Sequence, residues 1–336
     1  MPSGEVTPLL VTLIALAVAF DFINGFHDTA NAIATVVATR VLSPWVAISM
    51  AAVLNFAGAM SGVEVARTLG SGIVGGVLPL AAISAALVGA IMWNLFTWYF
   101  GIPSSSSHAL IGSLLGAGIA SLGVGSVRWD ALLDKVAIPL LASPVVGFLF
   151  ALLLMRLLIR VFASMSPARV GPIFRRTQIA SAAFMAFSHG GNDAQKTMGI
   201  ITLGLVSAGI LPTFHVPTWV IGLSAAAMGA GTFAGGRRII HTMGTRLAHL
   251  EPIHGFAAET AAATVIQVAS RLGFPLSTTH VISSSILGAG SARRLNAVRW
   301  GVVRTMAGAW LLTIPVTATL GFVAALLANA WFHQSS

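Results

Sequence analysis

Asp21, Asp28, Asp193 and Glu259 lie within or at the edge of long apolar runs. If those runs span a membrane, an ionised carboxylate there costs at least about 2.5 kcal/mol. A bound cation, a proton or a polar cavity removes that cost; the plain alternative is a neutral, hydrogen-bonded structural acid. The alternative is weaker for Asp28 and Asp193, because they recur in matching contexts. NGFHDTANAIAT (24–35) and HGGNDAQKTMGI (189–200) each place an aspartate just after a glycine, 165 positions apart. Side-chain amides accompany both, Asn31 near Asp28 and Asn192 and Gln195 beside Asp193. Amides ligate hard cations through oxygen and donate to oxyanions through nitrogen. Lys196, one of the chain's two lysines, follows Asp193 by three residues. It either contacts an anion or neutralises that aspartate.

A second duplicated element offers anion chemistry. PSSSSH (103–108) carries Ser104, Ser105, Ser106 and Ser107, and PLSTTH (275–280) carries Ser277, Thr278 and Thr279. Proline, then hydroxyls, then an apolar stretch is the composition of a capped helix start. Free backbone amides and the helix dipole at such a start bind oxyanions. Two of them could converge on one tetrahedral anion, and two ordinary capped helices are the bland reading. His27, His108, His189 and His280 flank these elements as hydrogen-bonding or proton-linked residues. No HExxH-type spacing occurs, cysteine is absent, and no metal site is assigned.

These residues must be positioned by elements buried in lipid. The 336-residue chain is 56% hydrophobic and 8% charged, too few charges to cover a water-soluble globule. Apolar runs at about 8–26, 45–62, 77–100, 104–120, 137–158, 178–207, 217–234, 256–272, 276–290 and 305–331 predict an all-α polytopic membrane protein with about ten crossings. Trp93, Trp98 and Tyr99 form an interfacial belt or pack in the core. The +9 net charge comes without an aromatic-basic module, so it suits loops at lipid headgroups and argues against a nucleic-acid partner. The N-terminus lacks a basic n-region, and 9–20 reads as a retained first span.

Residues 101–120 and 273–292 match at 10 of 20 positions without gaps. With the aspartate pair, this predicts an internal duplication: repeats 1–158 and 178–336, joined by a basic connector at 159–177. Stretches 62–76 and 121–136 are each net neutral. Their counterparts 235–250 and 291–304 carry three and four arginines: Arg237, Arg238 and Arg246, then Arg293, Arg294, Arg299 and Arg304. Opposite membrane sides explain this, with the basic loops and the connector cytoplasmic. The repeats are therefore expected to be inverted, with broken or half helices at the midplane, the plan of secondary transporters.

The aspartate signatures and the Ser/Thr-His elements resemble the inorganic phosphate transporter (PiT) family, from about residue 20 to 304. The short connector is similar to that of compact bacterial members. The resemblance implies an inverted-repeat helical fold in a plasma membrane and symport of phosphate with Na⁺ or H⁺. Some members of the family carry metal–phosphate complexes, and a branch carries sulfate. It also implies site roles for Asp28, Asn31, Asn192, Asp193, the hydroxyls of 105–107 and 277–279, and Glu259. Asn55 replaces an acidic residue of animal Na⁺-coupled members, which tilts the expectation toward protons.

The resulting expectation is a symporter and not an enzyme, without a cofactor. Ser105, Ser106, Ser107, Ser277, Thr278, Thr279, Asn31, Asn192 and Lys196 would hold phosphate. Asp28, Asp193, Gln195 and Glu259 would take the coupling H⁺ or Na⁺. A sulfate permease on the same fold, an intramembrane Ser-His hydrolase and a passive anion channel are the rivals. A homo-oligomer is allowed, and nothing in the sequence specifies one.

Overall fold

A computed structural model describes residues 6–235, 239–240, 242–243, 250–292 and 298–334, with only the backbone described at 71–72 and 331–334. Arg237, Arg238, Arg246, Arg293 and Arg294, which carry much of the loop-charge asymmetry, lie outside the described residues. The principal helices are α1 Pro8–Ala38, α2 Pro44–Ala59, α3 Glu64–Gly72, α4 Leu80–Phe100, α5 Ser106–Leu122, α6 Ile138–Val161, α7 Pro167–Ser207, α8 Thr218–Ala234, α9 Pro252–Arg271, α10 Thr278–Ser291 and α11 Trp300–Gln334. A helical turn, Trp129–Leu132, and a π-helical segment, Leu133–Ala137, lead into α6.

Each predicted apolar run lies on one of these helices. A chain in lipid must satisfy its backbone internally, and the helix does so within one segment. Pro8–Ala38, Leu80–Phe100, Trp129–Val161 and Trp300–Ala330 are long and apolar enough to cross a membrane alone. Pro44–Ala59 and Glu64–Gly70, bent by 70° at a short break, reach that length and apolarity only together, as a broken span or a re-entrant loop. The other runs are shorter or more polar. A helix enclosed by neighbours need not be apolar all round, and α7 is diluted by its own polar motif.

Stretches expected to be loops contain helix, among them the turn Trp129–Leu132 in 121–136 and two longer cases. The segment 62–76 holds α3, whose first turn is fixed from a distant part of the chain: Val65 N–H donates to Gln195 Oε1 at 2.8 Å. The basic connector is helical except at 162–166, with Arg160 ending α6 and Arg169, Arg175 and Arg176 in the opening turns of α7. Arginine is a good helix former, so charge alone did not mark a break.

α1 and α7 pack against each other at the centre. Around them α4, α5 and α11 form one side, and α6, α9 and α10 the other. Gly25 of α1 and Gly190 of α7 occupy matching positions in the duplicated motifs. A Cβ at Gly25 would lie 2.6 Å from Met228 O on α8, and one at Gly190 would lie 2.2 Å from Asn55 O on α2. Backbones meet at both, as small residues allow in membrane bundles. Leu141, Leu153, Leu311 and Leu327 are exposed on the outside of the bundle, a surface that acyl chains cover. Trp93 belongs to the core: its Nε1–H donates to Thr313 at 3.2 Å, while Tyr99 stays exposed.

Candidate functional site

α5 and α10 begin in the same way. A left-handed glycine ends the approach to each, Gly101 at φ 65° and Gly273 at φ 76°, a conformation that glycine adopts without a Cβ clash. Proline follows, then the N-cap. Ser105 accepts from His108 N–H at 3.1 Å, and Ser277 from His280 N–H at 3.3 Å. Both starts are buried, and the His108 and His280 rings face one another at 4.5 Å. The two helix starts therefore meet inside the bundle, as the duplicated hydroxyl motifs suggested.

The hydroxyls after each cap reach the motifs on α1 and α7. Ser106 donates to Asp28 Oδ2 at 2.8 Å, and Thr278 donates to Asp193 Oδ2 at 3.0 Å. One residue further on, Lys196 Nζ donates to Ser107 at 2.5 Å and Asn31 Nδ2 donates to Thr279 at 2.9 Å. The first pair of contacts stays within each copy of the motif, and the second pair crosses between copies. All four obey one two-fold relation, with Ser106 matching Thr278, Ser107 matching Thr279, Asp28 matching Asp193, and Asn31 matching Lys196.

The aspartates have further partners. His27 Nδ1 lies 2.5 Å from Asp28 Oδ1, and its other nitrogen faces Thr97 at 3.1 Å. Lys196 forms an ion pair with Asp193. His189 Nδ1 is 3.1 Å from Asn55 Oδ1, which selects the tautomer with the proton on Nδ1. The other ring nitrogen, Nε2, lies 3.2 Å from Asp193 Oδ2. Ligand atoms of Asp28, His189 and Asp193 all lie within 4.8 Å of one another, close enough to share one cation.

Three residues expected at the centre are placed elsewhere. Asn192 points to Ser270 at 2.8 Å and to the Phe274 carbonyl at 3.3 Å. Gln195 holds α3 and lines a polar pocket with Glu64, Gln267 and Arg271. Glu259 sits on α9, bonded to Thr35 and Ser181 and, at 3.2 Å, to Gln178. Sequence reasoning missed the place of His189 beside Asp28 and Asp193 and its contact with Asn55. The signal was present in the spacing, since His189 and Asp193 are one helical turn apart.

The profile of the phosphate transporter family matches residues 24–168 and 162–321. The chain belongs to the phosphate transporter family. It is similar to a probable low-affinity inorganic phosphate transporter of Rhizobium meliloti, 50% identical over 316 residues, covering 93% of this chain and 94% of the relative. A protein of the same description from Bacillus subtilis is 45% identical over 332 residues, covering 96% and 98%. The solved structure of a sodium-dependent phosphate transporter superposes with a TM-score of 0.87 at 25% identity, covering 96% of this chain and all of that one. Members of this family are transporters and not enzymes. The Ser105 and Ser277 hydroxyls that a Ser-His hydrolase would use are taken up as caps on backbone amides. The chain is a multi-pass membrane protein.

Proposed function

We propose that this protein is a symporter that moves inorganic phosphate across the plasma membrane with H⁺ or Na⁺. The observation that carries this reading is the convergence of two capped helix starts on two buried carboxylates. Ser106, Ser107, Thr278 and Thr279, with the free amides of both starts, supply donors suited to a tetrahedral oxyanion. Lys196, touching both Ser107 and Asp193, serves as a cation carried by the chain itself. It contacts the anion and neutralises Asp193 in one position.

Coupling follows from shared donors. Ser106 and Thr278 give their protons to Asp28 and Asp193. A phosphate that recruits those hydroxyls leaves the carboxylates without them and adds negative charge beside them. A cation or proton on the Asp28–His189–Asp193 cluster restores the balance. The loaded site and the empty site are then both tolerable at mid-membrane, and a half-loaded site is not. Alternating access by movement of one repeat against an inverted other would carry the site between the two faces.

Sulfate shares the geometry and the charge, so the helix starts do not discriminate against it. Purified protein in liposomes, given labelled phosphate under imposed Na⁺ or H⁺ gradients with sulfate as competitor, tests the reading. Phosphate accumulation driven by one of the gradients is expected. Equal flux without any gradient would make the protein a passive channel, and preference for sulfate would reassign the substrate.

A further inference from the structure

α1 carries Asp21, Asn24, Asp28, Asn31 and Thr35 at alternating spacings of three and four, one stripe along a helix. All five are buried, none more than 3% exposed. Asp28 is the midpoint, and Asp21 and Thr35 lie two turns to either side, about 10 Å each way along the axis. At the C-terminal end the stripe meets Glu259 through the Thr35 hydroxyl. The N-terminal end is different. Neither carboxyl oxygen of Asp21 has a hydrogen-bond partner, and Asn24 Oδ1 and Thr197 Oγ1 have none either. Thr197, Asp193 and Lys196 are the polar groups that Asp21 senses.

A carboxyl whose oxygens complete no hydrogen bond, with the Thr197 hydroxyl as the donor beside it, ties helices together weakly, and an ionised one in a lipid-embedded bundle is strongly disfavoured. Asn24 Oδ1, about one turn along α1 from Asp21, and the Thr197 hydroxyl that Asp21 senses add unpartnered oxygens of the kind a hard cation takes. The matching position in the other motif is Ala186, so this set is not part of the duplicated anion site. We infer that Asp21 is a station for the coupling cation on the N-terminal side of the central cluster, connected to Asp28 along the α1 stripe. This rests on the symport reading above and adds a route for the cation that is separate from the phosphate.

The test uses full-length protein in liposomes with the variants Asp21→Asn and Asp21→Glu. Labelled phosphate uptake is measured against Na⁺ at fixed pH and against pH without Na⁺, together with phosphate exchange at symmetric cation and the melting temperature in detergent. In whichever arm drives the wild type, Asp21→Asn should raise the cation concentration for half-maximal uptake by about tenfold or more. Exchange should persist, the melting temperature should hold or rise, and Asp21→Glu should stay within about threefold of the wild type. An unchanged cation dependence in Asp21→Asn overturns the inference. So does a lowered melting temperature with loss of exchange, the mark of a structural acid. Wild-type protein that accumulates phosphate in neither arm removes the symport reading, and the station with it.

Discussion

Ser106 donates its hydroxyl proton to Asp28 over 2.8 Å, although three whole helices, α2, α3 and α4, lie between them in the chain. The same hydroxyl stands at the start of α5, where an oxyanion would seek it. Removing it should weaken equilibrium phosphate binding to the purified protein by about 0.5–3 kcal/mol. Thr278→Val should do the same at α10. Calorimetric titration of Ser106→Ala and Thr278→Val checks this, and unchanged affinity in both would take the hydroxyls out of the anion site.

Asp28→Asn and Asp193→Asn keep size and hydrogen bonding and remove a charge. Each should abolish gradient-driven accumulation while phosphate binding at equilibrium survives. The neutral variants should also lose whichever ion dependence the wild type shows. Concentrative uptake that persists in both, with unchanged ion dependence, would move the coupling role to Glu259 and Asp21.

Lys196→Met leaves Asp193 buried without its cation. Breaking one side of a buried pair costs about 3–5 kcal/mol, so the melting temperature should fall sharply. The double variant Lys196→Met/Asp193→Asn should recover much of the loss, because no uncompensated charge remains. Additive losses in the double variant would mean that the two residues act independently.

Gly190→Ala forces a methyl group against the Asn55 carbonyl. The helices must part or bend, at a cost of about 1–3 kcal/mol. Gly222, in α8, has open space where a Cβ would go. Gly222→Ala should be neutral or stabilising, by up to about 1 kcal/mol. Thermal denaturation of the two variants separates close packing from mere loss of glycine.

The inverted topology is open to labelling, since the chain has no cysteine of its own. Exposed Asp130, Arg169 and Arg299 are suitable positions for single cysteines. Impermeant thiol reagents should reach Asp130→Cys from outside, and Arg169→Cys and Arg299→Cys only from the cytoplasm. Labelling of Asp130→Cys and Arg299→Cys from the same side would refute the inversion.

The parts of the site that could be read from sequence were those held locally. Ser105 and Ser277 cap amides three residues onward, so composition alone revealed them. Asp28 and Asp193 stood out because an acid in an apolar run demands compensation. Lys196 was open between an anion and Asp193; the fold pairs it with Asp193 and sets its ammonium on the Ser107 hydroxyl. Gln195 could not be placed, since its backbone partner Val65 is 130 residues away and lies on a short helix without an apolar signature. Glu259 draws its partners from α1 and α7, so no local pattern separates it from the central cluster.

Asn31 and Lys196 make equivalent contacts in the two copies but differ in charge, so the two-fold relation of the contacts is not one of charge. A homodimer built about such an axis presents the same residue twice, so any substitution is doubled. Two lysines there would place two positive charges beside the same two aspartates, and two asparagines would place none. A single chain holding both copies escapes that constraint. It can tune the fixed charge of the centre by one unit rather than two, and in a symporter that charge would set how many mobile cations accompany each anion.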